Sequence, residues 1–248
     1  MNKIKLTLVL LLSLSIATIN AQVKKAPVKK APVKHLPIKR PVTAAKPKAV
    51  IPIPGTRIKI TTDSGVMIVR LYDKTPLHRD NFIKLVNDHF YDSLLFHRVI
   101  NQFMIQGGDP KSKNAEAGIP LGNGDVGYTI PAEFDTTLFH KKGALAAARD
   151  NNPAKASSGC QFYLVQGRKM TDAELNNIEM GSGIKFSPAK RKIYKTIGGT
   201  PFLDMNYTVF GEVESGLEVI DKIASMQTNG SPYDRPVNDV HMKMEIVK

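Results

Sequence analysis

Residues 96–110 read FHRVINQFMIQGGDP, and this stretch decides how the rest of the chain is interpreted. It places one arginine, Arg98, and one amide, Gln106, in a run that is otherwise mainly apolar. Charged side chains are seldom fully buried unless they are paired or needed for chemistry. The role of Arg98, structural or chemical, is therefore the central question that the sequence poses.

The positive charge of the chain is concentrated at its N-terminus. The 248 residues carry a formal net charge of +13, from 35 Lys and Arg against 22 Asp and Glu. Residues 1–54 hold eleven of the 35 basic residues and no acidic one, which leaves 24 basic and 22 acidic residues in residues 55–248. Such a block is typical of a solvated tail. Residues 22–54 contain no Phe, Tyr or Trp that could stack on bases, so we expect no nucleic-acid partner.

Residues 1–21 have the pattern of a secretory signal peptide. Lys3 and Lys5 precede an apolar run at residues 6–16, and Ala21 provides a small residue before a cleavage point. An uncleaved anchor is the alternative, but the apolar run is shorter than the ~20 residues that a membrane span requires. We therefore expect an exported protein of the periplasm or cell envelope, or a secreted one, with no stable membrane span after cleavage.

Residues 22–54 form a second segment, rich in lysine and proline. The unit Val-Lys-Lys-Ala-Pro occurs twice in succession, and seven prolines in 33 residues exclude a regular helix or strand. This composition predicts an extended, disordered linker. Residues 55–248 then form one domain, which has Cys160 as its only cysteine and therefore no intrachain disulfide.

The pattern of residues 55–248 predicts many short strands and few helices. Residues 57–72 read as two strands joined by a turn at Asp63 and Ser64. Helices are expected at residues 73–90, capped by Thr75, and at residues 216–226. Further strands are predicted at residues 96–100, 103–106, 144–148, 161–166, 208–213 and 240–248. The pattern favours a mainly β, closed architecture.

Residues 169–199 read as an inserted pair of helices. Thr171 and Glu174 have the spacing of a capping box, which marks the start of the first helix. Ser187 and Pro188 can open the second helix, and Gly198 can end it. The sequence does not indicate what this insertion does.

Other patterns argue against cofactor, metal and hydrolase chemistry. Residues 122–127, GNGDVG, match the dinucleotide fingerprint, but they lead into a strand-like stretch with an early proline and not into a helix. The histidines lack the short spacing of metal ligands, and no Gly-x-Ser-x-Gly elbow occurs. We therefore expect no cofactor and no metal. His97 is interpreted as a structural, hydrogen-bonded side chain.

The stretch at residues 96–109 resembles the signature of the cyclophilins, which are peptidyl-prolyl cis-trans isomerases. YTIPAEF, GALAAAR, SSGCQFYLVQG and FLDMNYTVFGEV follow in the order of that family. The resemblance spans residues 56–247, apart from most of the insertion. It implies a closed, eight-stranded antiparallel β-barrel capped by two α-helices, with a helical insertion near residues 169–199.

The chemistry of this family explains an arginine in an apolar run. Rotation about a peptide bond has a barrier of ~18–20 kcal/mol because the C–N bond is partly double, and uncatalysed X–Pro isomerisation is slow. A catalyst must hold the proline ring and stabilise a twisted amide. An apolar pocket does the first, and a fixed cation with several donors does the second.

The resemblance carries the functional residues over position by position. It makes Arg98 and Gln106 the catalytic residues. The residues that it assigns to substrate binding are Phe103, Met104, Ala148, Arg149, Gln161, Tyr163, Phe202, Leu203 and Tyr207. Of these, Arg149 is expected to act through its backbone, and Gln161 to contact the residue before the proline.

Four positions depart from the family pattern. Tyr163 replaces a phenylalanine and adds a hydroxyl that needs a partner, Tyr207 replaces a histidine, and Arg149 stands where asparagine is frequent. Phe202 occupies a position that often holds tryptophan, and the chain contains no Trp. Because that tryptophan ordinarily contacts cyclosporin, weak cyclosporin binding is expected.

Two functions are compatible with this sequence. The first is a monomeric peptidyl-prolyl cis-trans isomerase that acts on proline-containing polypeptides and assists the folding of exported proteins. The second is a non-catalytic chaperone or scaffold module that binds peptides in the same groove. In a purely structural role, Arg98 would form an ion pair with Asp109 or Glu133.

Overall fold

A turn at Asp63 and Ser64 joins the first two strands of the computed structural model, which describes residues 55–247. β1 (Arg57–Thr62) and β2 (Gly65–Leu71) pair in antiparallel fashion as predicted. Alternate residues of a strand face the same side. The fully buried face of this hairpin consists of Ile58, Ile60, Met67, Val69 and Leu71. The predicted signal peptide and linker lie outside the described residues.

Eight of the ten strands in residues 55–247 form one antiparallel sheet. The strands after the hairpin are β3 (Arg98–Ile100), β4 (Met104–Gly107), β5 (Thr129–Ile130), β6 (Ala144–Ala147), β7 (Ser157–Ser158), β8 (Phe162–Val165), β9 (Val209–Ser215) and β10 (Met242–Val247). The order in the large sheet is β10–β1–β2–β9–β6–β8–β4–β3, and β5 pairs with β7. The predicted mainly β, eight-stranded antiparallel fold is confirmed. The predicted closure of the barrel is not shown: within the described residues the end strands β3 and β10 do not pair, although backbone hydrogen bonds and an isolated bridge between Leu95 and His241 link the segments that precede them.

Four α-helices accompany the strands in the described part of the chain. They are α1 (Pro76–Asn87), α2 (Asp172–Ser182), α3 (Pro188–Thr196) and α4 (Leu217–Ala224). α1 and α4 bury their apolar faces in the main core and are the two helices that the family resemblance implies. Within residues 55–247, none of the helices has the length and hydropathy needed to cross a membrane.

α2 and α3 form the insertion, and its local signals are confirmed. The Thr171 hydroxyl accepts a hydrogen bond from the Glu174 N–H, and the Glu174 carboxylate accepts one from the Thr171 N–H. The Ser187 side chain caps α3, and Gly198 follows that helix with a φ of 98°. A small core separate from the barrel core holds the insertion together; it comprises Met170, Leu175, Phe186 and Tyr194.

The predicted cap of α1 is wrong. Thr75 stands at the N-cap position, but its side chain makes no capping hydrogen bond. The carboxylate of Glu133 accepts hydrogen bonds from the N–H groups of Leu77 and His78, each at 3.0 Å, and contacts His78 Nδ1 at 2.7 Å. A carboxylate at a helix N-terminus satisfies free N–H groups and complements the helix dipole. A residue distant in sequence therefore caps α1.

We expect Glu133→Ala to destabilise the domain by about 1–3 kcal/mol, because it leaves two N–H groups and the buried His78 ring without their acceptor. Chemical denaturation at pH 7 measures the change. Lys84→Ala is the matched control on the same helix: it removes an exposed pair with Asp88 and should cost less than about 0.5 kcal/mol. Equal effects of the two substitutions would contradict the capping role of Glu133.

Candidate active site

Arg98 and Gln106 are neighbours because β3 and β4 form a tight hairpin. Their backbones pair directly, and Gln106 in turn pairs with Tyr163 on β8. Directly paired residues of adjacent strands point to the same face of a sheet. The hairpin and β8 therefore bring three of the predicted site residues together in one row.

A chain of amide hydrogen bonds holds the side chain of Gln106 in place. Gln106 Nε2 donates to Gln161 Oε1 at 2.9 Å. Gln161 Nε2 donates to the carbonyl oxygens of Gly122 at 3.0 Å and Gly124 at 2.7 Å. Gln161 is nearly buried, so its polar atoms are satisfied by these contacts. It supports Gln106 and holds the loop at residues 122–127.

The loop at residues 122–127 lines the groove of the site, a role that its sequence did not predict. It is neither preceded by a strand nor followed by a helix, so the rejected dinucleotide interpretation stays rejected. Asp109 Oδ2 accepts a hydrogen bond from the Gly122 N–H at 2.5 Å, and the same carboxylate leaves no room for a side chain at residue 124. Gly124 is therefore the glycine of GNGDVG that close approach to Asp109 requires.

A cavity of about 130 Å³, lined by both apolar and polar side chains, opens beside Arg98 and Gln106. All nine residues that line it are predicted site residues: Arg98, Phe103, Met104, Gln106, Ala148, Arg149, Tyr163, Leu203 and Tyr207. Arg98, Gln106, Ala148 and Arg149 also line an adjoining groove of about 880 Å³, together with Gln161 and the glycine loop. The structure thus has a small pocket that shares a polar edge with a larger groove.

Three further contacts involve predicted residues at the rim of the cavity. Phe202 is half exposed, and its ring centroid lies 5.8 Å from that of Phe103. The guanidinium of Arg149 covers the Tyr207 ring at 4.6 Å and donates to the Asn206 carbonyl at 2.9 Å. In the described part of the chain, the backbone N–H and C=O of Arg149 make no hydrogen bond. They are available to pair with an extended peptide.

The side chain of Arg98 is held loosely. Its nearest carboxylate is that of Asp234, with Nε and Oδ2 separated by 3.8 Å, and the side chain is 37% exposed. Asp109 and Glu133, the partners expected for a structural arginine, bond elsewhere. Within residues 55–247 the guanidinium of Arg98 makes no hydrogen bond that meets normal geometry, and an ion pair this long and exposed contributes little to stability. Its donors are free to face the cavity.

His97 and Cys160 are two titratable side chains near the site, and burial shifts the pKa of each away from 7. Burial lowers the pKa of His97 to about 4, with Asp109 opposing the shift, so the ring is neutral at pH 7. The predicted hydrogen bond of His97 is wrong: within the described residues neither ring nitrogen has a partner of acceptable geometry. Burial raises the pKa of Cys160 to about 11, which makes a thiolate nucleophile unavailable.

The hydroxyl of Tyr163 is hydrogen-bonded to His140, a residue that the sequence did not indicate. Tyr163 Oη and His140 Nε2 lie 3.0 Å apart, and both side chains are buried. His140 stands in a loop with no motif around it, and 23 residues separate it from Tyr163. Only the folded chain identifies it.

Two solved structures of a cyclophilin type peptidyl-prolyl cis-trans isomerase of Cryptosporidium parvum have this fold. One aligns with a TM-score of 0.56 at 19% identity, covering 78% of this chain and 98% of that chain. The other, determined in the presence of the dipeptide Ala-Pro, aligns with a TM-score of 0.55 and covers 77% and 99%. At this identity the likeness concerns the fold alone.

Curated relatives and a family profile identify the sequence family. A Staphylococcus haemolyticus protein named as a peptidyl-prolyl cis-trans isomerase is 34% identical over 185 residues, covering 74% of this chain and 87% of that protein. A longer Streptococcus pyogenes protein, named as a bifunctional phosphatase/peptidyl-prolyl cis-trans isomerase, is 35% identical over 190 residues; the match covers 75% of this chain and 37% of that protein. The profile "Cyclophilin type peptidyl-prolyl cis-trans isomerase/CLD" matches residues 57–246. The chain therefore belongs to the cyclophilin-type peptidyl-prolyl cis-trans isomerase family.

Proposed function

We propose that this domain accelerates cis–trans isomerisation of X–Pro bonds by a non-covalent mechanism in which Arg98 stabilises the twisted amide. One observation carries the proposal: a guanidinium without a hydrogen-bond partner among the described residues lines a pocket in which Phe103, Met104 and Leu203 provide apolar walls. A buried or half-buried cation is normally paired. An unpaired one beside a pocket is suited to a charge distribution that forms only in the transition state.

In the proposed mechanism the pocket and the polar edge act on different parts of the substrate. Phe103, Met104 and Leu203 hold the proline ring, while the chain on the other side of the bond rotates. As the bond twists, the amide nitrogen regains its lone pair. Arg98 then donates to that nitrogen or to the adjacent carbonyl, which weakens the resonance and lowers the barrier. Because only the torsion changes, no nucleophile and no proton transfer are required.

Gln106 and Arg149 position the substrate backbone in this mechanism. Gln106 donates to Gln161, so its amide oxygen is left to accept from a substrate N–H. The free backbone groups of Arg149 add an extended peptide in the manner of a strand. Preorganisation by Gln161 and the glycine loop supports catalysis, because a fixed acceptor needs no reorganisation when the bond rotates.

The proposed site of action is outside the cytoplasm, on exported proteins of the periplasm or cell envelope, or on secreted proteins. The support is the signal-like pattern of residues 1–21 and the lysine- and proline-rich composition of residues 22–54. In that setting a monomeric isomerase would assist folding of proline-containing polypeptides, since X–Pro isomerisation is slow enough to limit folding.

Replacing Arg98 by alanine should lower kcat/KM for an X–Pro peptide by about 10²-fold or more, as expected for loss of a preorganised electrostatic group. NMR exchange spectroscopy of the peptide measures the rate. Arg79→Ala is the matched control. Arg79 lies on α1 and pairs with Asp73 and Asp80, so its replacement should leave the rate within about twofold. An unchanged rate in Arg98→Ala would make Arg98 structural. A wild-type protein that binds the peptide without accelerating exchange would be the non-catalytic module.

Cyclosporin should inhibit this protein weakly, because Phe202 presents a smaller ring without an N–H donor at the pocket rim. Phe202→Trp should strengthen inhibition by about tenfold or more, since tryptophans at interface centres commonly contribute ~2 kcal/mol. Titration of the isomerase rate with the drug measures both proteins. Nanomolar inhibition of the wild type, or no gain in the variant, would contradict this role for Phe202.

The mature protein should begin at Gln22, because Ala21 is the small residue before the predicted cleavage point. N-terminal sequencing of protein expressed from the full chain measures this. Leu10→Arg interrupts the apolar run and should retain the uncleaved precursor in the cell, whereas Lys34→Ala in the linker should have no effect. An intact Met1 on the exported wild type would refute cleavage.

A further inference from the structure

The Tyr163 hydroxyl is one end of a continuous, buried chain of hydrogen bonds. Tyr163 Oη lies 3.0 Å from His140 Nε2, and His140 Nδ1 lies 2.9 Å from Asp204 Oδ1. The other carboxylate oxygen, Asp204 Oδ2, accepts from Tyr194 Oη at 2.8 Å. None of the four side chains is more than 4% exposed. Water therefore cannot replace any of these bonds.

Donors and acceptors along this chain are matched. The Asp204 carboxylate accepts from both of its neighbours and also from the backbone N–H of His140 at 2.9 Å. A histidine that donates through Nδ1 can accept through Nε2, and the Tyr163 hydroxyl supplies that proton. A buried polar network that is fully satisfied specifies one geometry, because any displacement leaves a polar group unpaired in a low-dielectric interior.

The chain joins three separate segments at the pocket. Tyr163 lines the cavity from β8, and Asp204 directly follows Leu203, which lines it from the opposite segment. Tyr194 comes from α3 and belongs to the small core of the insertion. Gly199 permits the close approach, because a side chain there would collide with the His140 carbonyl and the Tyr194 ring. The insertion is thus linked to two lining residues of the cavity: to Leu203 through the adjacent Asp204, and to Tyr163 through Asp204 and His140.

We propose that the insertion is a positioning element of the proline pocket, acting through Tyr194, Asp204 and His140 on Tyr163 and Leu203. The proposal rests on the proposed isomerase function. Tyr194 touches no substrate; it fixes the carboxylate that holds the two walls at their spacing. The pocket holds the proline ring alike in the ground state and the transition state. Loss of its geometry therefore raises KM and leaves kcat nearly unchanged, in contrast to loss of Arg98.

Tyr194→Phe tests the proposal because it removes one hydroxyl and keeps the ring in the insertion core. KM for an X–Pro peptide, and the Kd measured by NMR titration, should rise about three- to tenfold, the equivalent of one net hydrogen bond, with kcat within about twofold. Tyr91→Phe is the matched control: Tyr91 is equally buried, and its hydroxyl donates to the Cys160 carbonyl at 3.1 Å, outside this chain. It should lower stability without changing KM.

A double-mutant cycle separates positioning from general destabilisation. If the chain acts as a unit, Tyr163→Phe and Tyr194→Phe should have non-additive effects on KM, whereas either should combine additively with Tyr91→Phe. If Tyr194→Phe fails to fold, Tyr163→Phe tests the same link from the pocket end, with the same rise in KM expected. Wild-type KM in Tyr194→Phe, or additivity of the two ends, overturns the proposal. A wild type that neither binds nor accelerates the peptide refutes the isomerase function itself.

Discussion

The site depends on the pairing of Arg98 with Gln106 across a four-residue hairpin turn. This pairing places a cation and an amide on one face, and the next strand adds Tyr163 to the same row. The pocket forms where that row meets the segment that carries Leu203 and Tyr207. In the described residues the guanidinium of Arg98 has only a long ion pair, with Asp234, and such a pair contributes little to the stability of the fold. Backbone pairing with Gln106 positions Arg98 in the site, so its guanidinium does not need a side-chain partner to hold it there.

Two hydrogen-bond networks of the domain place a histidine between a carboxylate and a hydroxyl. His78 bridges Glu133 at 2.7 Å and Ser157 at 2.9 Å, and the carboxylate also caps α1. Burial lowers the pKa of His78, against the opposing effect of Glu133. His140 bridges Asp204 and Tyr163 in the second network. Ser157 is buried, so the first network has the connectivity of a hydrolase triad without access to a substrate. It links a helix start to a short strand pair.

Local patterns predicted most of the fold and nearly all of the pocket. Period-two alternation located the C-terminal strand, and the capping box at Thr171 located α2, because both signals concern residues close in sequence. The two short strands β5 and β7 were not predicted. The family resemblance then identified all nine lining residues of the cavity, four of them within the signature at residues 96–109. The cap of α1 was missed because Glu133 lies 55 residues from His78, and nothing near Thr75 excludes a local cap. The hydrogen bond expected for His97 was missed because burial alone does not supply a partner.

The sequence by itself determined the family, the strand and helix positions and the identity of the polar and apolar pocket residues. Only the tertiary structure decided which groups support them: the glycine loop against Gln161, Glu133 at α1, and the path from Tyr163 through His140 and Asp204 to the insertion. These contacts join residues 37, 55 and 23 positions apart, as in Gln161 with Gly124, His78 with Glu133, and Tyr163 with His140. A hydrogen bond between distant segments has no periodicity and no fixed spacing. Its partners become identifiable only when the chain has folded and each buried polar atom must be satisfied.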